Sequence, residues 1–147
     1  MACKDWHISD DIEQLESNPG SWNFFQGVRR IECADKLMSR IGESLNPDDD
    51  PVRFGQKVTL VFTPNDIHSY EKPKDGSVPE MDVNCFGLLG SNGSLPLFLT
   101  EYIYQRCKHH NDDSLIDFIN MFHHRMTSFF YRAWALYQPA VSCRAFA

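Results

Sequence analysis

The sequence predicts an α+β fold: several helices, one long C-terminal amphipathic helix, and a small antiparallel β element of two or more strands. Three observations carry this. Apolar residues recur at helical spacing in several stretches, the longest running from Asp113 to Tyr137. Two short runs of strand formers, Lys57–Thr63 and Met81–Phe86, stand between segments rich in Pro, Gly and Asp. A chain of 147 residues, 42% hydrophobic and holding 11 Phe, supplies one core and not two comfortable ones. One domain over residues 1–147 follows.

Ser9 is placed to cap a short acidic helix, Asp10–Glu16, whose early acids suit the helix dipole. Asn18-Pro19-Gly20 ends it. Ser21 then caps a helix from Trp22 to about Met38, with Phe24, Phe25, Val28 and Ile31 as its apolar stripe. Arg29 and Glu32 lie three apart, the spacing of a surface pair, or of an orienting contact if other segments cover them. Ile41–Gly55 reads as a loop, with Asp48-Asp49-Asp50 as a solvated acidic turn. Its aspartates lack the alternation, central Gly and final Glu of a calcium loop.

Lys57–Thr63 is the strongest strand pattern in the chain, and Met81–Phe86 is expected to return antiparallel beside it. Between them, Pro64–Pro79 reads as a long polar loop, a partner-binding loop or a mobile linker. After the second strand, Gly87, Gly90 and Gly93 fall three apart. This spacing matches no phosphate-binding motif and implies positive φ or close backbone approach. Pro96 opens a helix running to about Lys108, where its missing N–H costs little. Asp112 can cap the last helix. There Leu115, Phe118, Ile119, Phe122, Met126, Phe129, Phe130, Ala133 and Tyr137 form a broad apolar face. Asp117, Asn120, His124, Thr127, Ser128 and Tyr131 fall on the opposite, polar side, with Arg125 and Arg132 along one flank. The apolar face exceeds what a small domain can cover, so the excess is expected to meet another protein or a further part of the same chain.

Several functions are disfavoured. A net charge of −6 argues against nucleic acid as a partner. Cys3, Cys33, Cys85, Cys107 and Cys143 form no CxxC pair, which favours reduced thiols over a disulfide framework. The acidic N-terminus lacks the apolar centre of a signal peptide, and no run approaches a membrane span, so a cytoplasmic protein without direct membrane insertion is expected. Cys107-x-His109-His110 and His123-His124 are poorly spaced for zinc. No cofactor, metal site or catalytic residue is expected. The alternative reading is a small metal-dependent or cysteine hydrolase built on the His, Cys and Asp residues.

Four blocks in order carry a resemblance. Phe24-Phe25-Gln26-Gly27-Val28-Arg29-Arg30-Ile31-Glu32 is the first. Pro51-Val52-Arg53-Phe54 with the run Val58–Phe62 is the second. The third joins the glycine corner from Phe86 to Leu95-Pro96-Leu97 and Thr100-Glu101-Tyr102. The fourth is Asp117-Phe118, Phe122-His123-His124-Arg125 and Phe130-Tyr131-Arg132-Ala133-Trp134. Together they resemble TssG, the type VI secretion baseplate subunit of the ImpH/VasB family. The resemblance implies a non-catalytic wedge component that binds TssF, TssE and TssK at the cytoplasmic face of the inner-membrane complex. It also implies structural or interface roles for Phe25, Arg29, Glu32, Arg53, Gly87, Gly90 and Pro96. The same holds for Glu101, Arg125, Phe129, Phe130, Arg132 and Trp134. Family members continue into a second half, so the chain is expected to match the N-terminal part, truncated after about residue 137. A truncated, non-functional remnant is the third reading.

Overall fold

The computed structural model describes residues 8–34, 39–46, 49–73, 76–91 and 93–142. Helix α1 spans Ile8–Ser17, so Ser9 lies inside the helix rather than capping it. A 3-10 turn, Pro19–Ser21, leads to α2, Phe24–Ala34. The cap of α2 is Asn23 and not Ser21: the Asn23 Oδ1 accepts the Phe25 N–H at 3.1 Å, and Asp66 accepts the Phe24 N–H at 3.2 Å. The expected continuation to Met38 falls on residues 35–38, outside those described.

Three short strands follow: β1 (Arg53–Gly55), β2 (Ile67–Glu71) and β3 (Glu80–Val83). Their order is β1-β3-β2, with β1 parallel and β2 antiparallel to the central β3. The sheet is therefore mixed. This corrects three expectations. Met81 does lie in a strand, but that strand is Glu80–Val83 and its antiparallel partner is β2, inside the supposed loop Pro64–Pro79. The loop Ile41–Gly55 ends in a strand. Lys57–Thr63 forms none.

Topology explains the last point. The chain leaves β1 at one edge and must reach β2 at the other, passing the central strand. Neighbouring strands lie about 4.8 Å apart, so residues 57–66 have to travel roughly 10 Å across the sheet end. That crossover takes the best strand-forming run out of the ladder.

Helix α3 (Leu97–His110) ends at Asn111, which takes the left-handed conformation at φ 48°. The N-cap of α4 (Ser114–Leu136) is Asp113, which makes no side-chain cap bond; Asp112, the expected cap, stands one residue earlier and accepts the Ser114 N–H at 3.2 Å. A short α5, Pro139–Ser142, closes the described chain. The main core joins α1, α2 and the sheet through Leu15, Phe24, Val28, Phe54, Ile67 and Met81, with Tyr131 of α4 entering it. A second core, Leu89, Ile103, Ile116 and Ile119, holds α3 against the start of α4.

A buried polar seam and an exposed aromatic face on one helix

Helix α4 is turned the opposite way from its apolar pattern. Its buried residues are Ile116, Ile119, His123, His124, Thr127, Ser128 and Tyr131. The expected polar side faces the core. Of the expected apolar side, Phe118, Phe122, Met126, Phe129 and Phe130, together with Met121, are 39–61% exposed. Burying a polar group is costly unless it is hydrogen-bonded, and most of these find partners, the Thr127 hydroxyl and the His123 Nδ1 being the exceptions among the described residues.

Strand β1 supplies the first. Its odd-numbered N–H groups point inward, with Arg53 donating to Pro79 O at 2.8 Å. Its even-numbered ones point out of the sheet, where no strand lies. There α4 side chains stand in for a strand: Phe54 N–H donates to His124 Nδ1 at 3.2 Å, and Gln56 N–H to Asn120 Oδ1 at 3.2 Å. Residues two apart on a strand thus meet residues four apart on a helix, spacings of about 6.6 and 6.0 Å.

With Nδ1 accepting, His124 carries its proton on Nε2, which donates to Asp50 Oδ2 at 3.1 Å. The other Asp50 oxygen accepts the Ser44 hydroxyl at 2.7 Å. Asp50 is 0% exposed, which overturns the solvated acidic turn for this residue; Asp49 is exposed, and Asp48 lies outside the described residues. The expectation fails because the third aspartate has buried donors to satisfy. A Ser, an Asp and a His here share one network in the wrong order for nucleophile activation. The serine bonds the carboxylate, and both imidazole nitrogens are occupied. Among the described residues, no group of three or more His, Cys, Asp or Glu could hold a metal.

The rest of the seam continues along α4. His123 Nε2 donates to Phe86 O at 2.9 Å, and desolvation holds its pKa below the ordinary 6.5. Tyr131 OH donates to Glu32 at 2.9 Å. Burial first, then the Glu32 charge, push this phenol well above its ordinary 10.0. Glu32 is buried, so the surface-pair option for Arg29 and Glu32 gives way to an orienting contact across to α4. Arg125 and Arg132 donate to carbonyls, Ser44 O and Gly42 O, each at 2.9 Å. These bonds and the His124–Asp50 contact tie residues 42–50 to the helix. Gly42 has φ +80°, and a Cβ there would lie 3.2 Å from Ser128 O.

The glycine corner behaves as its spacing implied. Gly90 has φ +79°, and Gly87 and Gly93 pair through an isolated bridge. A Cβ on Gly87 would collide with the side-chain amide of Gln56. That amide is the residue sequence reasoning missed. Its Oε1 accepts the Leu88 and Leu89 N–H groups at 3.0 and 2.9 Å, and its Nε2 donates to Leu89 O at 2.7 Å. Thr100 accepts the Gly90 N–H at 3.1 Å, tying the corner to α3. A lone Gln before a Lys gives no local signal of this role.

The remaining singled-out residues divide by exposure. Pro96 is the residue just before α3, and Glu101 is exposed on that helix. Arg29 and Arg53 are half-buried. Phe25 stacks on Trp134, with ring centroids 4.6 Å apart, and Phe130 stacks on Phe86 at 4.9 Å. Phe129 is exposed beneath the Arg125 guanidinium, 5.2 Å from its ring centroid.

A helix whose inner face is hydrogen-bonded and whose outer face is aromatic is the arrangement of an interaction module. Among the described residues, no helix is long and apolar enough to cross a membrane. The family model "Type VI secretion, TssG" matches residues 18–145, nearly the whole chain. The chain belongs to the TssG family and is a type VI secretion component. Comparisons with curated proteins and with solved structures gave no match.

Proposed function

We propose that this chain is a non-catalytic scaffold subunit of the type VI baseplate wedge, working at the cytoplasmic face of the inner membrane and contacting TssF, TssK and TssE. The observation that carries this is the outer face of α4. Phe118, Met121, Phe122 and Phe129 are exposed in a row along it, while the inner face packs on the rest of the domain. Aromatic and Met side chains of this kind anchor protein interfaces. The corrected reading of Pro64–Pro79 narrows its share in binding: Ile67 and Tyr70 of β2 belong to the core and are withdrawn from any partner surface.

Co-expression of the tagged full chain with TssF and TssK tests this. A complex that survives gel filtration, and is lost on Phe122→Asp, supports the reading. A chain that never associates with either subunit refutes it.

A further inference from the structure

Two atoms of the seam on α4 have no protein partner, and their residues stand one turn apart on that helix. His123 and Thr127 are both 0% exposed, and neither His123 Nδ1 nor the Thr127 hydroxyl makes a hydrogen bond among the described residues. The two are therefore not bonded to each other. Nor does Thr127 return its hydroxyl to a carbonyl of its own helix, the usual recourse of a helical threonine. Hydrogen bonding fixes what His123 needs. Its Nε2 meets the Phe86 carbonyl at 2.9 Å, and a carbonyl can only accept, so the proton sits on Nε2 and Nδ1 presents a bare lone pair. Burial favours the neutral ring, which agrees with this tautomer. Nδ1 thus requires a donor, and the Thr127 hydroxyl can take either role.

We propose that one buried water molecule bridges His123 Nδ1 and Thr127 Oγ1 on the inner face of α4. Residues four apart on a helix have Cβ atoms about 5–6 Å apart. Two hydrogen bonds of about 2.8 Å through one oxygen can cover that span. The water donates one O–H to Nδ1 and makes its second bond with the hydroxyl. Two partners meet the least that a buried water requires. A metal ion is a poorer occupant: an imidazole and a hydroxyl are two donors, and no group of three or more His, Cys, Asp or Glu that could hold a metal stands among the described residues. Both side chains are closed to solvent, so the occupant is small enough to enter through local opening of the fold. Held this way, the His123 ring keeps its Nε2 on Phe86, the residue that leads into the glycine corner. The corner is then fastened to α4 partly through solvent.

A crystal structure of the full chain, at a resolution that places single waters, tests this first. A density peak within about 2.7–3.2 Å of both His123 Nδ1 and Thr127 Oγ1 is expected. Ring nitrogen NMR of the full chain then reads the same site in solution. Thr127→Val removes the hydroxyl and keeps the branched shape. It should shift the His123 Nδ1 resonance and empty the water position in its own crystal structure, whereas Thr127→Ser should leave both in place. The bridge is overturned by the absence of a peak, by a Thr127 hydroxyl bonded directly to Nδ1, or by an Nδ1 resonance that is the same in all three proteins. Should Thr127→Val fail to fold, the density in the native chain decides alone.

Discussion

Gln56→Leu should be among the most damaging single changes in the protein, although nothing in its neighbourhood marks it. The side chain is 6% exposed and makes three hydrogen bonds, at 2.7, 2.9 and 3.0 Å, to the backbone of the glycine corner. Leucine fills similar space and makes none. Each buried polar group left without a partner costs about 1–3 kcal/mol. Leu89 is buried, so its N–H and C=O bear the full cost, while water can replace part of the bond to half-buried Leu88. The loss is therefore about 3–5 kcal/mol. With a urea slope of about 2 kcal/mol/M, the midpoint should fall by about 2 M. Urea titration followed by tryptophan fluorescence reads this directly. A sharper check is coupling. Gly87→Ala forces a Cβ into the Gln56 amide, so it should cost about 2–3 kcal/mol in the native background and under about 1 kcal/mol beside Gln56→Ala. Additive effects, or a Gln56→Leu midpoint within about 0.5 M of the native protein, would refute the clamp.

Phe118→Ser combined with Met121→Ser should shift stability by less than about 1 kcal/mol, since both are more than half exposed, yet abolish the TssF/TssK complex in pull-down. Tyr131→Phe should cost about 1.5–3 kcal/mol in denaturant titration, because it removes a buried donor to the Glu32 carboxylate. His123 sets a pH dependence. Its folded pKa lies below the ordinary 6.5, so the unfolded chain binds more protons in that interval. Stability from this group is complete above pH 6.5 and falls as the pH drops below it. Melting curves at pH 7.5 and pH 5.5 should show the decline, and His123→Gln should flatten it.

The helices were legible because their apolar spacing is local, although the caps expected at Ser9 and Ser21 lie elsewhere. The glycine corner acts within a few residues, where sequence carries the signal. The orientation of α4 was not legible. Counting apolar residues assumes that Asn120, His124 and Tyr131 prefer water, and here each has a partner 64 to 99 residues away in the chain. Strand propensity failed at Lys57–Thr63 for a similar reason. A strand needs a neighbour, and the order β1-β3-β2 gives that position to other residues.

The contacts that seat α4 are directional. Hydrogen bonds to Phe54, Gln56, Asp50 and Glu32 fix both its rotation and its position along the axis, whereas greasy packing would allow slippage by a turn. On the proposed docking face, Phe118 and Phe122 are thus held about 6 Å apart along the axis, and Phe122 and Phe129 about 10.5 Å apart, on a rod that cannot roll. If a partner docks there as proposed, little ordering would remain to be done on this side of the contact, and the attachment would be stiff from the start.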